Sequence, residues 1–144
     1  MEPKTTSKTN ADRRSRDLPT TGEAARWVRE LTGLDHDERA LAALEVVAGG
    51  IARRILPEEA NDFIACLPNE LRELLLELPA GPDAGLSVQT VQRELAQRLG
   101  VNLERALEIS RGVGIALRWL TVRGARPDVL AHLPREFRIL FPPL

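Results

Sequence analysis

One element occurs twice in this chain and constrains what it can fold into. Residues 67–74 read Leu67-Pro68-Asn69-Glu70-Leu71-Arg72-Glu73-Leu74, and residues 133–140 read Leu133-Pro134-Arg135-Glu136-Phe137-Arg138-Ile139-Leu140. The two copies lie 66 residues apart, and the match runs without a gap from 38–75 onto 104–141. Glu38-Arg39-Ala40-Leu41 falls on Glu104-Arg105-Ala106-Leu107, Val47 on Val113, Asp62 on Asp128 and Ala65 on Ala131. Upstream, Arg29-Glu30-Leu31 matches Arg93-Glu94-Leu95, with two extra residues in the second copy. A duplication of this kind predicts two similar packets about a pseudo-twofold axis, each burying a face the other needs.

The repeated element reads as the start of a helix. Proline suits the first helical position, where its missing N–H has no intrahelical partner to lose. Glu70 and Glu136 then fall near the positive end of the helix dipole. Leu71, Leu74, Leu75 and Leu78 make one apolar stripe, as do Phe137, Leu140, Phe141 and Leu144, although Pro142-Pro143 should end the second helix early.

The other local signals are helical too. Thr20 with Glu23 has capping-box spacing before a helix stopped at Gly33, and Asp35 with Glu38 has it before a helix running to Leu56. Pro57 and Pro68 open the third and fourth helices. Ser87 caps a fifth that stops at Gly100, and Asn102 caps a sixth. A seventh helix carries Val129, Leu130 and Leu133, and Pro134 begins the eighth. Gly49-Gly50 and Gly112 with Gly114 interrupt the two long helices, at about 1 kcal/mol each relative to alanine. They predict points where another backbone approaches closely. The expected fold is therefore all-α, with two pseudo-symmetric repeats of about four helices each in one domain. Residues 1–19 read as a disordered polar tail, 20–78 as repeat 1, 79–86 as a Pro- and Gly-rich linker and 87–144 as repeat 2.

Charge divides the chain. Residues 21–86 carry six basic and thirteen acidic groups, whereas residues 87–144 carry nine and five. Such a split predicts attraction between the halves, within one chain or head-to-tail between chains. Lys4 and Lys8 are the only lysines, and there is no Tyr.

These residues carry a family resemblance. Paired helical units, each closing on Leu-Pro-x-Glu-(Leu/Phe)-Arg-x-x-Leu, resemble the bacterial domain-of-unknown-function family numbered 2267, over about residues 22–142. Leu56-Pro57-Glu58-Glu59-Ala60 is similar to a stretch that precedes the first element in that family. Residues 75–86 depart from the family pattern, having neither the aromatic nor the basic residues that follow the element there. The resemblance implies a duplicated helical fold and supplies no catalytic residue.

Catalytic patterns are missing. Cys66, His36 and His132 are the only Cys and His residues. Cys66 and His132 occupy equivalent repeat positions, which pseudo-symmetry could bring together, but two ligands fall short of a zinc site. Cys66 follows Phe63 and Ile64, a setting for a buried, inert thiol. No phosphate loop, nucleophile elbow or dinucleotide fingerprint is present. The carboxylate pairs Asp37/Glu38, Glu58/Glu59 and Glu70/Glu73 stand at helix starts, where the dipole accounts for them.

The sequence thus predicts no enzyme, no cofactor and no metal. It predicts a cytoplasmic protein, with a single cysteine and no apolar run long enough to span a bilayer. Its role is expected to be a non-catalytic adaptor or self-associating regulatory module. The alternative is a nucleic-acid-associated regulator using the arginine-rich second repeat. A third reading is a small-ligand binder in a cleft between the repeats. The candidate interaction surface is Arg118, Arg123, Arg126, Arg135 and Arg138. The structural motif is Leu67, Pro68, Glu70, Arg72, Leu133, Pro134, Glu136 and Arg138.

Overall fold

A computed structural model of the 144-residue chain describes residues 18–126 and 128–141. Most of the expected tail, Pro127, and the stop at Pro142-Pro143 with Leu144 lie outside the described residues. The described residues form six α-helices and two 3-10 helices in one compact helical domain. These are α1 (Thr21–Thr32), α2 (Asp37–Arg54), α3 (Pro57–Ile64), α4 (Asn69–Leu76), α5 (Val88–Leu99) and α6 (Leu103–Arg123), followed by η1 (Val129–His132) and η2 (Arg135–Leu140).

Local chemistry accounts for most of the helix ends. The Thr20 hydroxyl accepts from the Glu23 N–H while Glu23 accepts from the Thr20 N–H, both at 3.1 Å. Ser87 and Thr90 make the same reciprocal bonds at the start of α5. Asn102 Oδ1 accepts from the Arg105 N–H at 2.7 Å to open α6. Gly33 and Gly100 close α1 and α5 with positive φ of 79° and 66°, a conformation that a Cβ would strain.

Three starts differ from expectation. The Asp35–Glu38 capping box does not form, because α2 begins one residue later with His36 at its N-cap. Asp35 instead faces Arg39, at 4.0 Å, and His36, at 3.7 Å. Pro57 takes the first helical position, whereas Pro68 and Pro134 stand one residue earlier, as extended N-caps. The seventh and eighth helices are 3-10, as short segments between chain breaks often are.

The core is built on the two long helices. α2 and α6 touch each other, and α1 and α5 each pack on both of them. α4 packs on α2 and η2 packs on α6, while α3 meets η1. Phe63, Phe137, Leu44, Ile51, Leu95 and Leu117 are among the large side chains fully buried between these layers. The three buried polar residues among those described are satisfied locally. Thr32 and Ser110 donate to carbonyls four residues back, and Thr121 donates to one three back.

Helix caps set a register that sequence matching missed. Thr20 and Ser87, and Gly33 and Gly100, are each 67 residues apart, so Arg29 does not correspond to Arg93. Against these helix ends the two arginines of the repeated Glu-Arg-Ala-Leu stretch play one role. Arg39 Nη2 donates to the Leu99 carbonyl, the last residue of α5, at 3.0 Å. Arg105 Nη2 donates to the Thr32 carbonyl, the last residue of α1, at 2.5 Å. Each cation sits in the first turn of its own helix, where the dipole disfavours it, and meets the C-terminus of another, where the dipole and an orphan carbonyl favour it.

The glycines divide into two kinds. A Cβ on Gly114 would overlap the Leu140 carbonyl oxygen of η2, and one on Gly112 would sit 2.6 Å from Thr32 Cγ2 and 3.0 Å from the Leu31 carbonyl of α1. These are close backbone approaches, as expected. At Gly49 the neighbours are instead Leu78 and Leu75 side-chain ends at 3.4 and 3.5 Å, and at Gly50 the nearest is the Val91 side chain at 2.7 Å.

Two sets of variants follow. Gly114→Ala and Gly112→Ala are expected to lose about 1–3 kcal/mol to overpacking, whereas Gly49→Ala keeps or gains stability, by up to about 1 kcal/mol. Equal melting temperatures for all three would refute the distinction. Arg39→Met and Arg105→Met retain the aliphatic stem and lose only the charged donor, at about 1–2 kcal/mol each. Urea denaturation should find the two losses additive in the double variant, since the bonds share no partner.

Candidate interaction surface

The Leu-Pro elements place leucines inside and charges outside. Leu67 and Leu133 are buried, as are Leu71 and Leu75 of α4 and Phe137 and Leu140 of η2. Glu70, Glu136 and Arg138 are exposed, and Arg72 is half-buried. Equivalent positions differ in chemistry, Asn69 standing for Arg135 and Glu73 for Ile139. α4 exposes two large apolar side chains, Leu74 at 49% and Leu76 at 60%, and η2 exposes Ile139 at 45%.

The five candidate arginines fall into separate environments. Arg118 is half-buried on α6. Its Nη2 donates to the Phe141 carbonyl at 2.7 Å, and its guanidinium lies 5.8 Å from the centroid of the Phe141 ring. It ties the end of the second repeat to α6. Arg123 stands 5.8 Å from the centroid of Trp27. Trp27 in turn meets Trp119 edge to face, with centroids 5.6 Å apart and planes at 86°. Packing of α1 on α6 creates this cluster. The spacing of Trp27 and Trp119 along the chain gives no sign that they meet. Arg126, Arg135 and Arg138 are exposed. Glu23 lies on the same side as Arg123. Hydrogen bonds from the Thr20 backbone and side chain hold its carboxyl below the usual range, with Arg123 and Arg26 adding to the effect.

The candidate nucleophile and ligands are also placed. The Cys66 thiol donates to the Asp62 carbonyl at 3.4 Å and packs on Gly124, where a Cβ would come within 2.6 Å of Sγ. Burial pushes its pKa up to about 11; Arg126 pulls against this and Asp62 adds to it. The thiol is therefore protonated and a poor nucleophile at neutral pH. His132 Nδ1 pairs with Glu59 Oε1 at 3.1 Å, linking η1 to α3. Among the described residues no group of three or more His, Cys, Asp and Glu is arranged to hold a metal. Among them, too, no helix is long and apolar enough to cross a membrane.

The more enclosed concavities are small, and a wider one of about 360 Å³, lined by Thr20, Glu23, Arg26, Arg29 and Asp37, lies open on the surface. A cavity of about 120 Å³ lies among α2, α3, α4 and residues 78–81, and another of about 270 Å³ lies between residues 18–21 and 67–72. A cavity lined from both halves, by Glu45 and Leu75 with Glu94 and Arg98, holds only about 90 Å³. Small-molecule sites usually hold about 300 Å³ or more.

Cys66 generates a pH prediction. Its folded pKa of about 11 lies above the ordinary thiol value of 9.0, so the unfolded chain ionises first. The stability held by the neutral thiol is complete below the ordinary value and lost as pH rises through the folded one. With no Tyr and only two lysines, few other side chains titrate in that window. The melting temperature should fall across it, and Cys66→Ala should flatten the fall; an equal fall in the variant would refute the assignment.

Comparison with curated proteins finds no match. The sequence profile of a family described as uncharacterized conserved protein (DUF2267) matches residues 22–140, from the first turn of α1 to the last residue of η2. That span takes in both Leu-Pro elements, both carbonyl-capping arginines and the packed core apart from Phe141, and the chain belongs to this family.

Proposed function

We propose that this chain is a non-catalytic protein-binding module of the cytoplasm, acting as an adaptor or through self-association. The observation that carries the reading is the exposure of Leu74 and Leu76 on one eight-residue helix, flanked by charged side chains rather than by the core. Scattered exposed leucines are ordinary, but these two edge the exposed side of α4 on both flanks, Leu76 lining a shallow cavity against α2 and α3 and Leu74 another against α2 and α5. The inert Cys66 thiol and the small cavity between the halves support the absence of chemistry and of a small ligand.

A second reading, a nucleic-acid-associated regulator, draws on Arg123 over Trp27 beside Trp119, with Arg126 close in sequence. Guanidinium and indole faces can stack on bases, and arginines can track phosphates. Against it stand a pI near 6.2 and the engagement of Arg118 by the Phe141 carbonyl.

Affinity capture of the tagged chain from its host lysate, with and without nuclease, separates the two. A stoichiometric protein partner that survives nuclease, and is lost in Leu74→Ser with Leu76→Ser, is the expected result. Recovery that requires intact nucleic acid, and is lost in Arg123→Glu with Arg126→Glu, would replace the first reading with the second. Turnover in a broad substrate screen would overturn both.

A further inference from the structure

α4 carries a pattern that its own helix does not favour. Glu70, Glu73 and Glu77 are spaced i, i+3, i+7, so they share one stripe, and all three are exposed. Like charges at such spacings repel. The dipole favours Glu70 in the first turn, but Glu77 stands at the C-cap, where it disfavours a negative charge. Among the described residues none of the three has an ion-pair partner. Leu74 and Leu76 flank the stripe, both about half exposed or more.

The second repeat presents the complement. In η2 the 3-10 geometry aligns residues three apart, so Arg135 stands over Arg138 while Phe137 and Leu140 face inward. Ile139, 45% exposed, lies beside this basic row. Neither arginine side chain has an ion-pair partner among the described residues. Within the chain the acidic excess of the first half is little used by the second. Glu45 pairs with Arg98 and Glu59 with His132 across the halves, and Arg123 acts on Glu23. The net charges of −7 over residues 21–86 and +4 over residues 87–144 remain largely uncompensated.

We propose that the occupant of the α4 face is a second copy of this chain. The Glu70–Glu73–Glu77 stripe of one copy, with Leu74 and Leu76, receives the Arg135–Arg138 row of another, with Ile139. Each face sets charged side chains next to exposed apolar ones, and their opposite signs steer the encounter. This inference rests on the protein-binding reading and names its partner.

The test is sedimentation of the full chain at rising concentration, at low and high ionic strength, with two charge-reversed variants. Glu73→Arg with Glu77→Arg leaves the basic row intact, and Arg135→Glu with Arg138→Glu leaves the acidic stripe intact. The wild type is expected to gain mass with concentration at low salt and to lose that gain at high salt. Each variant alone should be monomeric. Their equimolar mixture should recover a species of at least two chains, because one matched pair of faces survives between them. Glu73→Gln with Glu77→Gln, compared by circular dichroism and sedimentation, separates loss of charge from loss of fold. A wild type that stays monomeric throughout, association that survives both reversals, or a mixture that stays monomeric would overturn the proposal. A monomeric chain that still captures a different host protein would sink this inference and leave the protein-binding reading standing.

Discussion

The two arginine-to-carbonyl bonds across the halves are what the rest of the domain depends on. α1 and α5 end in carbonyls that their own helices cannot satisfy. Arg105 reaches the end of α1 and Arg39 the end of α5, each from the first turn of a long helix of the opposite half. The bonds fix where α1 and α5 lie against α2 and α6, and so fix which residues those helices bury. Val28 and Leu95 point into the core because the helices that carry them are held there. A Glu-Arg-Ala-Leu stretch at the start of a long helix thus works as a clasp on a different helix. Its acid serves its own dipole, and its base serves another's.

The same Leu-Pro element folds in two ways, and packing explains why. In the first repeat it opens a regular α-helix, and the eighth residue of the element, Leu74, is half exposed. In the second it opens a 3-10 helix, and the eighth residue of the element, Leu140, is buried with its carbonyl against Gly114. The residue equivalent to Gly114 in the first repeat is Ala48, whose methyl group closes that approach. One missing carbon on α6 therefore lets η2 settle deeper than α4 can. The side chains left outside differ as a result. α4 offers leucines and glutamates, and η2 offers arginines and an isoleucine.

Local chemistry made much of this legible in advance. Capping boxes, stop glycines and apolar stripes act over four residues, and Thr20, Ser87, Asn102, Gly33 and Gly100 do what their types predict. Expectation and structure part where another group competes. Asp35 has capping-box spacing, but Arg39 and His36 face its carboxylate and the helix starts later. Arg29-Glu30-Leu31 looks like Arg93-Glu94-Leu95, yet helix ends rather than surface letters set the correspondence. Arg118 belongs by composition to a basic patch and by geometry to Phe141. Exposed side chains such as Arg126 and Glu73 carry little positional information in sequence, because no packing partner restricts them. The surface was for that reason less legible than the core.

The contact between Trp27 and Trp119 has an optical consequence. Both tryptophans of the chain are in that one contact, on α1 and α6, near opposite ends of the described sequence. Two indoles this close and nearly perpendicular exchange excitation, so their far-ultraviolet dichroism and emission belong to the pair. With no Tyr present, the whole near-ultraviolet absorption band above the phenylalanine region comes from this site. The molecule therefore carries an intrinsic gauge of whether its first and last long-range layers are closed on each other. The gauge reads out in a spectrometer, without any label.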